Sequence, residues 1–342
     1  MEEKNITGRL APGGDRIVLA DALPLYTPLI VQIFNIYACN LACKICHYGL
    51  PKEKRPFITS RKVMDIALFK KCIDDMTDFA SKLKLLRFCG MGESLLDRNI
   101  VEMVRYASEK GIADTIEMIT NATLLTHEIS TALIEAGLSR LRVSIYGVSA
   151  SRYKELCGAQ IDFDGLLDNV KFFYEERVRL QKNTAVYVKT MDCALKSKEE
   201  EDRFIQLFGD FCDSYAVELV RPWVDGIDYS PWLREENLTS NVLGVKLPAI
   251  NVCPQPFHLM TICPDGRVLP CACETMISLG ECTTQSLKDI WCGDTLRRFQ
   301  RSMLDGCANA GDRCKGCSMV QCRPFPEDIL DNDVERLKAL YA

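Results

Sequence analysis

"CNLACKIC", residues 39–46, places three cysteines, Cys39, Cys43 and Cys46, within eight positions. Zinc sites usually pair cysteines as C-x2-C or C-x4-C and draw four protein ligands from two such knuckles. Here the local set stops at three. A three-thiolate site leaves a metal one open position, and open positions mark reactive centres rather than structural ones. The run just before it, "LIVQIFNI" (29–36), is apolar and of strand length. The three thiols therefore follow a strand directly.

Outward from this strand, short apolar runs alternate with longer amphipathic stretches to about residue 223. The strand-like runs are 29–36, 83–90, 115–122, 140–147, 185–192 and 215–222. The helix-like stretches are 65–80, 99–110, 127–137, 164–180 and 199–211. Strands alternating with helices imply βαβ units and a parallel sheet. Six units fit a partial barrel or an open doubly wound sheet, and periodicity does not choose between them. In both, function collects at the carboxyl ends of the strands, where "CNLACKIC" lies.

The chain has 342 residues, of which 47% are apolar, enough to bury a sizeable core in one large domain or one large and one small. Its net charge, 42 − 47 = −5, comes without a basic block and argues against nucleic-acid partners. The start, "MEEKNITGRLAPGGD", lacks the apolar core of a signal peptide. The most apolar early stretch is interrupted by Pro24, Pro28, Gln32 and Asn35, too often for a membrane span. Eighteen cysteines in a long chain of this kind point to metal in a cytoplasmic protein rather than to disulfides.

Past residue 223 the character changes. Residues 224–252 read as a linker rich in turn formers, and residues 253–322 hold ten of the eighteen cysteines. The expected organisation is an N-terminal extension (1–28), an α/β unit (29–223), the linker, a cysteine-rich unit (253–325) and a closing charged helix (326–342).

A C-x3-C-x2-C loop after the first strand of an α/β barrel resembles the radical SAM superfamily. The resemblance implies a partial (β/α)6 barrel. It also implies a 4Fe–4S cluster held by Cys39, Cys43 and Cys46, whose fourth iron binds S-adenosylmethionine. Thiolates suit such clusters. "FCGMGESLL" (88–96) is similar to the family's glycine-rich segment, with Gly90 and Gly92 allowing close backbone approach and Glu93 pairing with the cofactor ammonium. "TNATLL" (120–125) and "VSIYG" (143–147) resemble further family segments and place Asn121 and Ser144 near the cofactor. Lys189 is a candidate partner for its carboxylate. Asn121 has a second reading as the cap of a helix starting near Thr126, and Lys189 as a solvated charge. The sequence departs from the family pattern at Ile45, where an aromatic is usual, with Tyr37, His47 and Tyr48 as nearby alternatives. It departs again at Ser94, where proline is frequent.

The tail resembles the family's SPASM extension, which binds auxiliary iron–sulfur clusters. Cys253, Gly266 and Cys271 have its spacing, and "PDGRVLPC" reads as a hairpin turning at Asp265–Gly266 with Cys271 on its second strand. "SLKDIW" and "LRRFQ" resemble its helical insert. The C-x2-C-x4-C run with no cysteine beyond 322 looks like the shortened, single-cluster form. Cys253, Cys271, Cys314 and Cys317 are then the ligands of one auxiliary 4Fe–4S cluster, with Cys322 as the substitute. A zinc knuckle from the same thiolates is the rival. Cys72, Cys157, Cys212, Cys282, Cys292 and Cys307 read as buried small apolar residues. Cys89 and Cys193 flank the ends of strands two and five, and Cys263 and Cys273 flank the auxiliary site. These four are the candidate hydrogen donors to a substrate radical.

The resemblance implies hydrogen abstraction from substrate after reductive cleavage of S-adenosylmethionine, with electrons from a donor such as flavodoxin or ferredoxin. Only 38 residues precede Cys39, which lowers the expectation of a peptide substrate, since many peptide-modifying relatives carry a leader-binding domain there. The expected reaction is oxidation of a hydroxyl-bearing carbon in a small carbohydrate- or aminocyclitol-like molecule. The alternatives are epimerisation or crosslinking of a peptide or sugar, and a non-catalytic iron–sulfur or zinc protein of electron transfer.

Overall fold

In a computed structural model, residues 16–55, 62–273 and 276–342 are described. Six parallel strands follow one another in chain order: β1 (Ile30–Ile33), β2 (Leu83–Phe88), β3 (Ala113–Thr120), β4 (Arg140–Ser144), β5 (Ala185–Met191) and β6 (Ser214–Glu218). The helices are α1 (Leu19–Ala22), α2 (Ile66–Met76), α3 (Ile100–Lys110), α4 (His127–Glu135), α5 (Ala150–Cys157), α6 (Phe163–Arg179) and α7 (Lys198–Phe208). Several helix starts are written in the sequence. Asp65, Thr126, Ser149, Asp162 and Ser197 each accept a backbone N–H in the first turn of their helix.

Alternation along the strands sorts the two faces of the sheet. Val31, Ile33, Leu86, Phe88, Met118, Leu141, Val143, Val186 and Val188 enter one core with the apolar faces of α2, α3, α4, α6 and α7. The opposite, inner face begins apolar with Ile30, Leu85 and Leu259. It then turns polar with Gln32, Arg87, Glu117, Arg140, Arg142, Lys189 and Glu218, all buried. This is the partial barrel expected of six βα units.

The sheet does not stop at β1. Strand β7 (Leu259–Ile262) pairs with β1 in parallel, from Ile30↔Leu259 to Ile33↔Ile262. The antiparallel strands β8 (Arg267–Leu269) and β9 (Gly280–Glu281) complete nine strands in the order β6-β5-β4-β3-β2-β1-β7-β8-β9. The expected hairpin is present, but β8 ends at Leu269, so Cys271 lies two residues past the strand. Helices Leu287–Trp291 and Asp294–Leu304 form the insert.

A second core gathers Ile250, Val252, Phe257, Phe299, Met303, Leu304, Leu330 and Leu337. Leu19, Ala20 and Leu23 join it, so the described end of the N-terminal extension packs on the cysteine-rich unit. The closing helix is shorter than its charge pattern suggests. Only Val334–Leu340 is α-helical, after two single 3-10 turns at Pro326–Asp328 and Asp331–Asp333.

Candidate active site

The three-cysteine loop is fixed from two sides. Ala42 and Lys44 donate their N–H groups to the carbonyls of Cys157 (2.9 Å) and Leu156 (2.8 Å), the last residues of α5. The Ile45 carbonyl accepts from Trp223 Nε1 and Tyr229 Oη, both at 2.9 Å. The Ile45 side chain itself lies in the main core. Of the nearby aromatics, Tyr48 donates to the Met91 carbonyl at 2.9 Å. Tyr37 and Tyr48 form, with Phe34, Cys263 and Leu269, an apolar patch against which Cys39, Cys46, Cys89 and Met91 pack.

Cys43 is buried and Cys39 and Cys46 are half-buried. Burial, with the charges of Glu93, Cys43 and Cys46, pushes the Cys39 thiol up to about 12. Cys43 is likewise raised, by a hydrogen bond with Cys157 and by burial. Cys39 and Cys43 resist ionising on their own, whereas a bound metal deprotonates its thiol ligands outright. The donor set thus fits a cationic iron–sulfur centre. Among the described residues no three His, Cys, Asp or Glu side chains gather around a single-ion position.

Glu93 stands beside this loop. It is 3% exposed, and its N–H donates to the Ala38 carbonyl at 2.8 Å. Its Oε1 accepts from Thr120 Oγ1 (2.6 Å) and Leu95 N (3.2 Å), and its Oε2 from Asn121 N (2.7 Å). Burial raises its pKa against the pull of these three donors. The two glycines before it are required by the chain's own packing. A Cβ on Gly92 would stand 2.3 Å from the Ile36 carbonyl oxygen, and one on Gly90 2.1 Å from the Phe34 ring.

Asn121 Nδ2 donates to Asn40 Oδ1 at 2.9 Å, and its own Oδ1 accepts from Thr123 N and Oγ1. It ties the β3 loop to the cysteine loop and does not cap α4; Thr126 does that. Ser144 ends β4 opposite Lys189. Lys189 is not a solvated charge, being 9% exposed, with Nζ 2.7 Å from Glu218 Oε2.

Below lies the polar layer of the barrel. Glu117, fully buried, takes the guanidinium Nε of both Arg87 and Arg140, and Arg142 Nη1 at 3.5 Å. Burial alone would raise its pKa, but the three arginine charges hold it at about 2. Arg142 Nη2 reaches Glu218 Oε1 at 3.5 Å. Gln32 crosses to Thr261 of β7 at 3.2 Å.

In the tail, Cys253, Cys271, Cys273, Cys307, Cys314 and Cys317 lie within range of one another's charge. Burial pushes Cys314 to about 12 and raises Cys253, Cys271, Cys307 and Cys317. Such a concentration of thiols fits a thiolate-held cluster as the first loop does. The thiols of Cys307 and Cys322 each meet a methionine sulfur, Met303 Sδ at 3.6 Å and Met319 Sδ at 3.8 Å. Cys307 is half-buried, packs on the second core and lies within range of the charges of Cys253 and Cys317, whereas Cys292 is exposed and not buried as its sequence context suggested. Cys72, Cys157, Cys212 and Cys282 are buried as expected. Cys273 flanks the auxiliary thiols, whereas Cys263 belongs to the patch beside the reactive loop. Cys193 is buried, and burial with the Asp192 charge lifts it to about 12.

Several functional neighbours escaped sequence reasoning. Asn40 stood inside the quoted motif. Trp223 and Tyr229 stood at the edge of a stretch read as linker, where two large aromatics close together were a usable signal for something to cover.

Two family models match the chain: the radical SAM superfamily over residues 36–192 and the SPASM iron–sulfur cluster-binding domain over residues 253–318. An AdoMet-dependent heme synthase of Oleidesulfovibrio alaskensis is 29% identical over 149 residues, 44% of this chain and 36% of the relative. The chain thus matches about a third of that relative's length. Two solved structures share the fold. BtrN in complex with AdoMet and 2-DOIA superposes with a TM-score of 0.53 at 21% identity, covering 86% of this chain and 95% of BtrN. Streptococcus suis SuiB bound to its precursor peptide SuiA gives 0.62 at 17% identity, covering 81% and 67%. With a three-cysteine loop at the mouth of a parallel partial barrel and a second gathering of thiols beyond it, the chain belongs to the radical SAM superfamily and carries a C-terminal SPASM domain.

Proposed function

We propose that the chain oxidises a hydroxyl-bearing carbon of a small carbohydrate- or aminocyclitol-like substrate. Cys39, Cys43 and Cys46 would hold the reactive 4Fe–4S cluster, and Cys253, Cys271, Cys314 and Cys317 one auxiliary cluster. When bound, the reactive cluster supplies the electron that cleaves S-adenosylmethionine and so generates the hydrogen-abstracting radical. The observation that carries the reading is the junction of the cysteine loop with Glu93 and Asn121. A carboxylate offers about four acceptor positions. Three of Glu93's are used by Thr120, Leu95 and Asn121, which leaves one on Oε2 for the cofactor ammonium. Gly90 and Gly92 keep the segment close to the loop, and Asn121, Ser144 and Lys189 border the same end of the sheet.

The small-molecule reading draws support from the fold shared with BtrN, whose complex holds 2-DOIA. The fold shared with SuiB, which binds a peptide, supports the second reading, radical epimerisation or crosslinking of a peptide or sugar. Reducing equivalents come from a flavodoxin- or ferredoxin-type donor, and the site of action is the cytoplasm. No described helix is long and apolar enough to cross a membrane.

Replacing Cys39, Cys43 and Cys46 together by Ala tests the assignment. Anaerobic iron content falls from about eight to about four per chain, taking four per cluster, and 5′-deoxyadenosine formation is lost. Full cleavage by the triple variant refutes it. Turnover in deuterated water then separates the two reactions. A carbonyl product about two mass units lighter than substrate marks oxidation. A product about one unit heavier, with deuterium on an inverted carbon, marks epimerisation by a thiol donor.

A further inference from the structure

Residues 222–229 follow β6 and lie outside any helix or strand. Most of them read in the sequence as the start of a linker, yet they are bonded on two sides. On one side they reach the reactive loop. Trp223 Nε1 and Tyr229 Oη both donate to the Ile45 carbonyl, each at 2.9 Å. A carbonyl oxygen has two lone pairs, so these two donors fill it. The N–H of the same peptide unit, that of Cys46, donates to the Cys43 carbonyl at 3.0 Å. Both polar ends of the unit are therefore held, which fixes the peptide plane from which Cys46 departs. Tyr229 is 3% exposed, and Trp223 and Ile227 pack on the core that holds Cys43, Ile45 and Leu50.

On the other side the segment reaches the C-x2-C knuckle of the auxiliary thiols. Ser318 is the residue after Cys317, and its Oγ donates to the Pro222 carbonyl at 2.8 Å. Arg313 is the residue before Cys314, and it pairs with Asp225 at 2.9 Å. That ion pair is exposed and contributes little, whereas the Ser318 bond is partly buried. The knuckle is thus tethered at both flanks to the segment that holds Ile45.

We propose that residues 222–229 are a strap through which the auxiliary knuckle sets the reactive loop, with Trp223 and Tyr229 as positioning residues for the turn between Cys43 and Cys46. The proposal rests on the reading of Cys39, Cys43 and Cys46 as holders of the reactive cluster. It gives the auxiliary site a mechanical part in that centre besides any electron transfer. The path is short and contiguous. It runs from Cys317 to Ser318, to the Pro222 carbonyl, to Trp223 one residue on, and through the indole N–H to the carbonyl before Cys46.

The test uses the reconstituted full chain without oxygen. The electron paramagnetic resonance signal of the reactive cluster is the one that the dithionite-reduced parent shows and the variant with Cys39, Cys43 and Cys46 all replaced by Ala lacks. Trp223→Phe combined with Tyr229→Phe removes both donors and keeps apolar rings. Ser318→Ala cuts the strap from the knuckle, and Ser318→Thr keeps the hydroxyl. Iron stays at about eight per chain in all of these, taking four per cluster. The midpoint potential of the reactive signal moves in the double variant, by about two- to tenfold in the reduction equilibrium, the scale of one hydrogen bond. It moves in the same direction in Ser318→Ala and stays at the parent value in Ser318→Thr. Cys282→Ala, which loosens a different contact between the two units, also leaves it there. Should the double variant not fold, as judged by circular dichroism, Tyr229→Phe and Ser318→Ala decide. A signal unmoved in the double variant or in Ser318→Ala overturns the proposal, and so does an equal shift in Cys282→Ala. Formation of 5′-deoxyadenosine is measured in parallel. Cleavage with unmoved signals removes the strap alone, and shifted signals in a chain that cleaves no S-adenosylmethionine remove the proposed reaction alone.

Discussion

The thiols of Cys72 and Cys282 meet at 3.5 Å, one on α2 and the other just beyond β9, and both are fully buried. Around them Lys71 Nζ donates to the Gln285 carbonyl at 2.9 Å, and Leu287 N donates to Asp75 Oδ2 at 3.1 Å. The barrel and the cysteine-rich unit are thus joined by a dry contact with a polar rim. Cys282→Ala removes one side of that contact and leaves a small void. It lowers the unfolding free energy by about 1 kcal/mol, on the scale of one buried methyl-sized group, read from the urea midpoint. In the parent protein, alkylation followed by peptide mass mapping leaves both thiols unmodified until the chain unfolds.

Glu117 ion-pairs with Arg87, Arg140 and Arg142. Glu117→Gln leaves three buried guanidinium groups short of their counter-charge and destabilises by about 3–5 kcal/mol. The pH dependence follows from the depressed folded-state value of about 2 against an ordinary 4.5. A carboxyl whose pKa is lowered by folding stabilises fully above its unfolded value and loses that contribution as pH falls through the folded one. Acid unfolding of the parent, followed by circular dichroism, therefore carries a slope between about pH 4.5 and 2 that is smaller in Glu117→Gln.

Much of this architecture was legible. The six strands and the main helices lie where apolar runs and amphipathic stretches placed them, because local period and burial coincide in βα units. Short α5 was missed although Ser149 and Gly158 bracket it. It shares one connection with α6, and the longer pattern of α6 dominated the reading. The pairing of β7 with β1 left no trace, since its partners are more than two hundred residues apart and each strand is only four residues long. At the proposed site, the motifs of Cys39 and Glu93 stood out because they set a residue type at a spacing, and the fold brings these two segments side by side. Lys189 with Glu218, and Cys307 among the auxiliary thiols, depend on which face of a distant element turns inward, and no local signal encodes that.

Glu93 serves the protein as well as the proposed cofactor, and its variants should show both. Glu93→Ala strands the donors of Thr120, Leu95 and Asn121 and lowers thermal stability, each unsatisfied group costing about 1–3 kcal/mol. Glu93→Gln keeps the shape and one oxygen but not the charge. It weakens S-adenosylmethionine binding by roughly ten- to hundredfold with iron content unchanged, as measured by calorimetry and iron analysis. Equal affinity in Glu93→Gln and parent would assign Glu93 a purely structural role.

The auxiliary thiols allow a sharper assay than sequence spacing did. Cys314→Ala and Cys317→Ala each lose about four irons per chain, whereas Cys322→Ala, whose thiol faces Met319, keeps them. Cys307→Ala is the informative intermediate. Loss of iron there makes Cys307 a ligand, and retention with altered electron paramagnetic resonance makes it a neighbour of the cluster.

The register between β1 and β7 carries one more consequence. Adjacent strands sit about 4.8 Å apart and are held by an unbroken ladder of backbone bonds. The reactive loop leaves β1, and the hairpin that ends near Cys271 begins with β7. The strand that carries the reactive loop and the hairpin that leads to Cys271 are therefore parts of one hydrogen-bonded sheet. Parting them would mean unzipping the four paired residues of β1 and β7, so the unit that bears the second group of thiols is anchored to the barrel through backbone pairing as well as through side-chain packing.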